Sequence, residues 1–405
     1  MRQKGDAMTD GLVSDLRVLD ISQGIAGPLA AKLLADQGAE VIKVEPPEGD
    51  YARRRGPFPH NIPHPEKSLT FAYYNTGKRG ITLNIHTATG AALLKALACK
   101  ADILIEDLPP GEMASLGFGY SALAQENPGL ILVSVTPFGQ SGPYKGFLAE
   151  DITLQAIGGF LYLSGDPDKP PLQVALEQAQ IMGGRCAAIA TMLAVMERWA
   201  SGRGQHVDVS IAEAVASQPP MHIVQYSYLG VVATRGPRTP NPTDGDYLPC
   251  KDGYICITTG GGNPWEKFAQ FFQAPALLDP RFATREGRSR YGAEIQQILG
   301  ERLRERGKYE VFHSGMQNRF VLGVVQTPEE VLACPHLRER EAFQEVEHPL
   351  LGTLRYPRAG FRLDGHPAGK VCPAPLLGQH NEEVYCGWLG LPRDSLARLR
   401  AMGVI

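Results

Sequence analysis

From Leu16 onward the chain alternates short apolar runs with longer helical stretches, and this alternation constrains its fold more than any other feature. It is the pattern of βαβ units, so an α/β fold around a parallel sheet is predicted. Arg17-Val-Leu-Asp-Ile21 reads as a buried strand, Gly24 to Gly27 as a tight turn, and Pro28 as the first residue of a helix reaching about Gln37, where Gly38 stops it. Glu40-Val-Ile-Lys-Val-Glu45 is the next strand. Ile81–Ile85, a helix from Thr87 to Cys99, and Asp102–Glu106 repeat the unit, and Leu130–Val135 adds a further strand. Gln180 to Ala200 is a long helix rich in Ala and Gly, whose small side chains allow close packing against a sheet or a second subunit.

A chain of 405 residues implies two domains, or one with a large excursion. After about Gln225 the character changes to a turn-dense stretch, Gly236 to Gly245, followed by strands around Tyr254–Thr258 and short helices to about Arg306. Residues 226–325 are therefore expected to form a smaller α+β domain.

The formal net charge of −3, with no basic stripe longer than Arg53–Arg54–Arg55, lacks the electrostatic footprint of nucleic-acid binding. Seven dispersed cysteines without a Cys-x-x-Cys pair argue against a disulfide framework or a structural zinc site and for reduced thiols in a cytoplasmic protein. The polar N-terminus has no signal-peptide pattern, and no uninterrupted apolar run suggests a membrane span. Met8 is a second candidate start.

Local motifs are individually weak. Gln23-Gly-Ile-Ala-Gly-Pro28 lies between a strand and a helix, with Glu45 ending the next strand, as in a dinucleotide site. The spacing fails, because Ala26 and Leu29 stand where glycines are required. Gly260–Gly261–Gly262 reads equally well as a glycine loop over a site or as a plain turn. The three arginines suit phosphates, although such a run is more often a solvated face. His60, His64 and His86 lack metal-ligand spacing, and no Gly-x-Ser-x-Gly elbow is present. Glu150, Asp151, Asp166, Asp168 and Glu177 supply carboxylates.

Leu16-Arg-Val-Leu-Asp20 with Ala26-Gly-Pro28, Gly38 to Glu45, Asn75-Thr-Gly-Lys-Arg79, Lys100 to Glu106, Gln155 to Gly159, Ser201-Gly-Arg-Gly-Gln205 and Pro375 to His380 occur in one order. Together they resemble the class III coenzyme A transferases, the formyl-CoA transferase or carnitine dehydratase-like (CaiB–BaiF) family, over about residues 12 to 400. The resemblance implies a Rossmann-like large domain built from residues 12–225 and completed by 326–405, with the small domain between, in an intertwined dimer. It implies a coenzyme A thioester as substrate and no permanently bound cofactor. In the family an aspartate attacks an acyl-CoA thioester, passing through a mixed anhydride to an aspartyl-CoA thioester.

Counting from Pro171 and from Gly184 toward that aspartate lands both times on Gln180, whose neutral amide lacks the nucleophilic anion. The resemblance places coenzyme contacts at Gln23, Gly24, Ile25, Leu83, His86, Asp107 and Leu108, while Ile25, Pro46, His86, Ser115 and Leu148 stand where formyl-CoA transferases carry polar or cationic contacts. The histidine–aspartate pair of the family's 2-methylacyl-CoA racemases is also missing, since Glu150 stands near the one position and Gln180 at the other. Some members are heteromers that use succinyl-CoA to activate malate or benzylsuccinate. By that resemblance the chain is the subunit without the nucleophile, partnered by a homologous chain bearing the aspartate. The alternatives are a self-sufficient transferase using Glu177 or Asp151, and a non-enzymatic acyl-CoA-binding or scaffold protein.

Overall fold

The computed structural model describes residues 11–235, 244–258, 263–364 and 371–405. Gly260 to Gly262 and most of the stretch 236–245 lie outside them. Two compact units are present: one takes the chain up to Ser164, Gln173–Val232 and Glu341–Ile405, and the other takes Gly165–Leu172 and Ala233–Arg340.

The larger unit is organised on a six-stranded sheet of order β3-β2-β1-β4-β5-β6, comprising β1 (Arg17–Asp20), β2 (Glu40–Glu45), β3 (Lys78–Thr82), β4 (Ile103–Glu106), β5 (Ile131–Thr136) and β6 (His206–Ser210). Every pairing is parallel. Both faces are covered, which explains why the strands read as continuous apolar runs. Val18, Val41, Ile103, Ile105 and Val133 point to one core with Ala30, Leu34 and Val195. Leu19, Ile42, Ile81, Leu104 and Leu132 point to the other with Leu94, Leu97, Tyr385 and Leu399. The alternation of neighbours such as Val18 and Leu19 between the two cores is the period of a pleated strand. The returning C-terminal segment docks on β3: Asn381 exchanges two hydrogen bonds with Thr82, and the Tyr385 hydroxyl donates to the Thr82 carbonyl at 2.7 Å.

The helix after β1 spans Ala26–Ala35, beginning two residues before Pro28. Proline is tolerated there because amides of the first turn have no partner within the helix. The long helix runs from Gln178 to Ser201 and is long and apolar enough, by length and composition, to cross a membrane. No such span stood out in the sequence pattern. Its inner face instead packs within the unit: a Cβ on Gly184 would collide with the Ala26 carbonyl oxygen and Leu29, and one on Gly183 with Ile211. Its outer face leaves Ile189, Leu193 and Met196 exposed.

The second unit has the antiparallel sheet β7 (Asp244–Cys250), β8 (Gly253–Thr258) and β9 (Val321–Val324). Helices including Trp265–Phe271, Gly292–Leu303 and Lys308–Gln317 close a core of Leu248, Ile255, Phe268, Phe272, Leu299 and Phe320.

Candidate active site

In a doubly wound sheet the natural crevice lies beyond the carboxyl ends of the strands where their order reverses. Here that point is between β1 and β4. The turn after β1 and the turn after β4 meet there, the Gln23 amide donating to Asp107 Oδ2 at 2.9 Å. The Gly24 amide donates to Asp50 Oδ1 at 3.0 Å, and the Tyr51 amide to Gln23 Oε1 at 3.2 Å. Gly24 has φ +77°, and any Cβ there would strike the Tyr51 phenol, so only glycine fits. Two amides that a pyrophosphate would seek are thus held by carboxylates. Glu45, the acid of the dinucleotide comparison, is fully buried and bound to Arg53.

Beneath this turn lie four buried charges. Lys43 Nζ sits 2.8 Å from Asp50 and Lys78 Nζ 2.7 Å from Asp20, with Lys43 also 4.0 Å from Asp20. Burial alone would raise the Asp20 carboxyl, but Lys43 and Lys78 outweigh it and hold it below its usual range. Lys78 is pushed down to about 8 because burial outweighs the attraction of Asp20. Its ammonium nevertheless has three acceptors, Asp20, the Pro28 carbonyl and Asn75.

Gln180, Glu177 and Asp151, which the sequence singles out from separate segments, are brought together at the start of the long helix. Asp151 opens the helix Asp151–Ile157, and its Oδ1 accepts the Gln180 amide at 3.1 Å, capping the long helix. Its Oδ2 accepts Gln155 Nε2 at 2.6 Å and Gln173 Nε2 at 3.4 Å. Glu177 precedes the first helical residue and pairs with Arg55 at 3.1 Å. The half-buried Gln180 carboxamide makes no hydrogen bond among the described residues. Arg55, Glu150, Asp151, Ile152, Gln173, Ala175, Leu176 and Glu177 line an open hollow of about 350 Å³. Leu176 has φ +65°, an uncommon conformation for a branched side chain, immediately before the helix. Tyr51 links the hollow to the crevice: burial, Asp107 and Asp50 push its phenol up to about 12, and Arg55 and Glu150 also act on it.

The Arg55–Glu177 pair is about a third or more exposed on both sides. Arg55→Ala is therefore expected to change stability by less than about 1 kcal/mol in a denaturant titration. A loss several times larger would mean that the pair holds the hollow together.

The remaining residues scatter. Ile25 and Leu83 are buried, so at most their backbones face a ligand, and the Leu83 amide already donates to the Glu45 carbonyl at 2.7 Å. His86 stands at the β3 end, 4.0 Å from Glu112 and exposed. The Leu108 amide donates to Glu106 Oε2 at 2.7 Å. Leu148 is 97% exposed and Ser115 is exposed, with neither supplying a charge.

Against this geometry, the model of CoA-transferase family III matches residues 13–381. The chain belongs to that family. It is 33% identical over 404 residues to a succinyl-CoA–D-citramalate CoA-transferase of Chloroflexus aurantiacus, covering 97% of this chain and 98% of the relative. It is 32% identical to the succinyl-CoA:(R)-benzylsuccinate CoA-transferase subunit BbsE of Thauera aromatica, with 96% and 98% covered. The crystal structure of a CAIB/BAIF family protein from Brucella suis superposes with a TM-score of 0.84 at 28% identity, covering 94% of this chain and all of that one. CoA-transferases of this family take coenzyme A thioesters as substrates.

Sequence reasoning missed Asp50, Tyr51 and the Lys43–Lys78 pair in this family III chain. The available signal was a charge inside an otherwise apolar parallel strand, as at Asp20, Lys43 and Glu106, where only a buried partner makes ionisation tolerable. It also treated the three arginines alike. Arg53 is 1% exposed and committed to Glu45, Glu66 and the Pro375 carbonyl, so it is neither a solvated face nor free for a phosphate.

Proposed function

We propose that this chain is a subunit, without the nucleophile, of a CoA-transferase that moves coenzyme A from an acyl-CoA, with succinyl-CoA as donor, to a carboxylic acid. The observation that carries the reading is the neutral amide of Gln180 at the helix start, flanked by two carboxylates already engaged: Asp151 in capping, Glu177 with Arg55. An amide cannot form the anhydride that the family chemistry requires. The crevice residues Gln23, Gly24, Asp107 and Leu108 would contact the coenzyme, with Ile25, Leu83 and His86 at its edge.

The partner would be a homologous chain bearing the aspartate, interlocked with this one through the Rossmann-like large domain, in a reducing cytoplasmic setting. Supporting this, the helix Pro220–Leu229 leaves Met221, Ile223, Val224, Tyr226, Tyr228 and Leu229 exposed. Ile189, Leu193 and Met196 repeat at helical spacing on the long helix. So much uncovered apolar surface supports a contact with another chain. One relative is itself named a subunit.

A second reading keeps the chemistry in this chain through Glu177. It is favoured over Asp151 by its exposure in the hollow, whereas three amide donors occupy Asp151. An acyl-CoA-binding scaffold is the third.

Co-purification from the native source discriminates among them. The proposal expects a homologous chain with aspartate at the position of Gln180 to elute with this one, and transferase activity only when both are present. A homodimer that transfers coenzyme A would refute it. Calorimetry without any coenzyme A binding would remove all the coenzyme-based readings.

A further inference from the structure

Three neighbouring strands place a chain of exchangeable protons across the same face of the sheet. Glu106 ends β4, Ser134 is its register partner on β5, and His206 opens β6. Glu106 is 2% exposed and lies beside the buried Ser134 as its β4–β5 register partner, and the Ser134 hydroxyl favours its ionised form. Ser134 Oγ lies 2.8 Å from His206 Nε2, and His206 is an exposed residue whose ring stacks on Tyr120. A carboxyl inside the molecule is thereby connected, through one hydroxyl, to an imidazole at the surface.

We propose that Glu106, Ser134 and His206 form a proton relay to solvent, and that Glu106 is the positioning residue for the turn after β4. The second half of this rests on the reading of Asp107 and Leu108 as coenzyme contacts. Glu106 holds the Leu108 amide, and the adjacent Asp107 holds the Gln23 amide, so its charge acts on both turns of the crevice.

The groups facing the relay set its range. Burial raises Glu106 to about 7, opposed by the Ser134 hydroxyl and the Leu108 amide and reinforced by Glu112 and Asp208. Asp107, its neighbour, is also raised by desolvation. Burial lowers His206, with Asp208 opposing, so the ring is neutral where Glu106 titrates. Lys43 draws the Asp107 carboxyl down against its burial, while the charges that act on Glu106 itself, Glu112 and Asp208, are both acidic.

With Glu106 protonated, its O–H donates to Ser134 Oγ, Ser134 donates to His206 Nε2, and the ring carries its proton on Nδ1. As pH rises, the Glu106 proton passes to Ser134 Oγ while the serine proton passes to Nε2, and the Nδ1 proton leaves to water. One proton is lost overall, and the imidazole remains neutral with its tautomer reversed.

The test is ¹⁵N NMR of the His206 ring from about pH 6 to about pH 8.5. In the native chain the tautomer is expected to switch with a midpoint near 7, the value set by Glu106. Glu106→Gln, whose amide still donates to Ser134, should hold the Nδ1–H form throughout, and Ser134→Ala should uncouple the ring from Glu106. A constant tautomer in the native chain, or a switch unchanged by Glu106→Gln, overturns the relay. If Glu106→Gln does not fold, a switch retained in Ser134→Ala overturns it equally.

Coenzyme A calorimetry at the two ends of this range tests positioning. Affinity should change about tenfold with pH in the native chain and stay flat in Glu106→Gln. The same pH dependence in both overturns the positioning role. Absence of coenzyme A binding overturns it together with the coenzyme reading, while the NMR arm decides the relay by itself.

Discussion

Arg53→Ala is expected to destabilise the larger unit by roughly 3–5 kcal/mol, the penalty for leaving a buried charge without its partner. Arg53 Nε and Nη2 grip both oxygens of Glu45 at 2.6 and 2.8 Å, and neither side chain is more than 1% exposed. The same guanidinium reaches Glu66 at 2.6 Å and the Pro375 carbonyl at 3.0 Å, and lies over the Phe71 ring. Glu66 in turn accepts the Leu377 amide at 3.0 Å, so the end of β2 and the returning C-terminal segment are tied through one side chain. Removal would strand Glu45 in a dry site and release the segment docked on β3. Hydrogen exchange of the β1–β3 amides reads this directly, because the second unit need not unfold with the first. Protection should fall by roughly a hundredfold to several thousandfold. Arg53→Lys, which keeps the charge but not the two-pronged geometry, should lose less. The double change Arg53→Met with Glu45→Gln should recover much of the loss. A fall in protection of less than about tenfold for Arg53→Ala would mean that water reaches Glu45 and that the pair is not isolated as its burial implies.

The strands were legible because a parallel sheet covered on both faces demands uninterrupted apolar runs, and β1, β2, β4 and β5 meet that demand within a residue or two. Helix ends were less so: the first helix starts at Ala26 and the long one at Gln178, set by the turn geometry before each. Charges inside strands were visible as anomalies, but their partners were not. Lys78 and Asp20 are 58 residues apart, and no local spacing links them. The run Arg53–Arg54–Arg55 shows why composition misleads, since neighbouring arginines take different fates: Arg53 is buried, Arg54 is exposed, and Arg55 meets Glu177 across 122 residues. At the helix start, Gln180 was reached by counting along a family pattern, whereas its contact with Asp151 needs the fold.

On the proposed reading of Gln180 as the vacant nucleophile position, Gln180→Asp is expected to create transferase turnover in the isolated chain, on the order of a thousandfold or more above the native protein, because a reactive unit missing its nucleophile retains little. The site favours an anion there. Residue 180 is in the first turn of a 24-residue helix, where unpaired amides and the helix dipole stabilise negative charge. Its side chain is half-buried without a hydrogen-bond partner among the described residues, and the backbone amide held by Asp151 is unaffected by the substitution. Opposing this, Asp151 and Glu177 stand close by, so the Arg55–Glu177 pair must keep one of these charges neutralised. Incubation with succinyl-CoA and hydroxylamine should convert the carboxylate introduced by Gln180→Asp to its hydroxamate and leave every carboxylate of the native chain intact. Modification of Glu177 in the native chain would instead assign the nucleophile to that residue. A variant that binds coenzyme A yet stays inert would show that the missing carboxylate is not the chain's only departure from a working site. The natural next suspects are then Leu148 and Ser115, two uncharged residues at positions that the resemblance to formyl-CoA transferases assigns to coenzyme contacts.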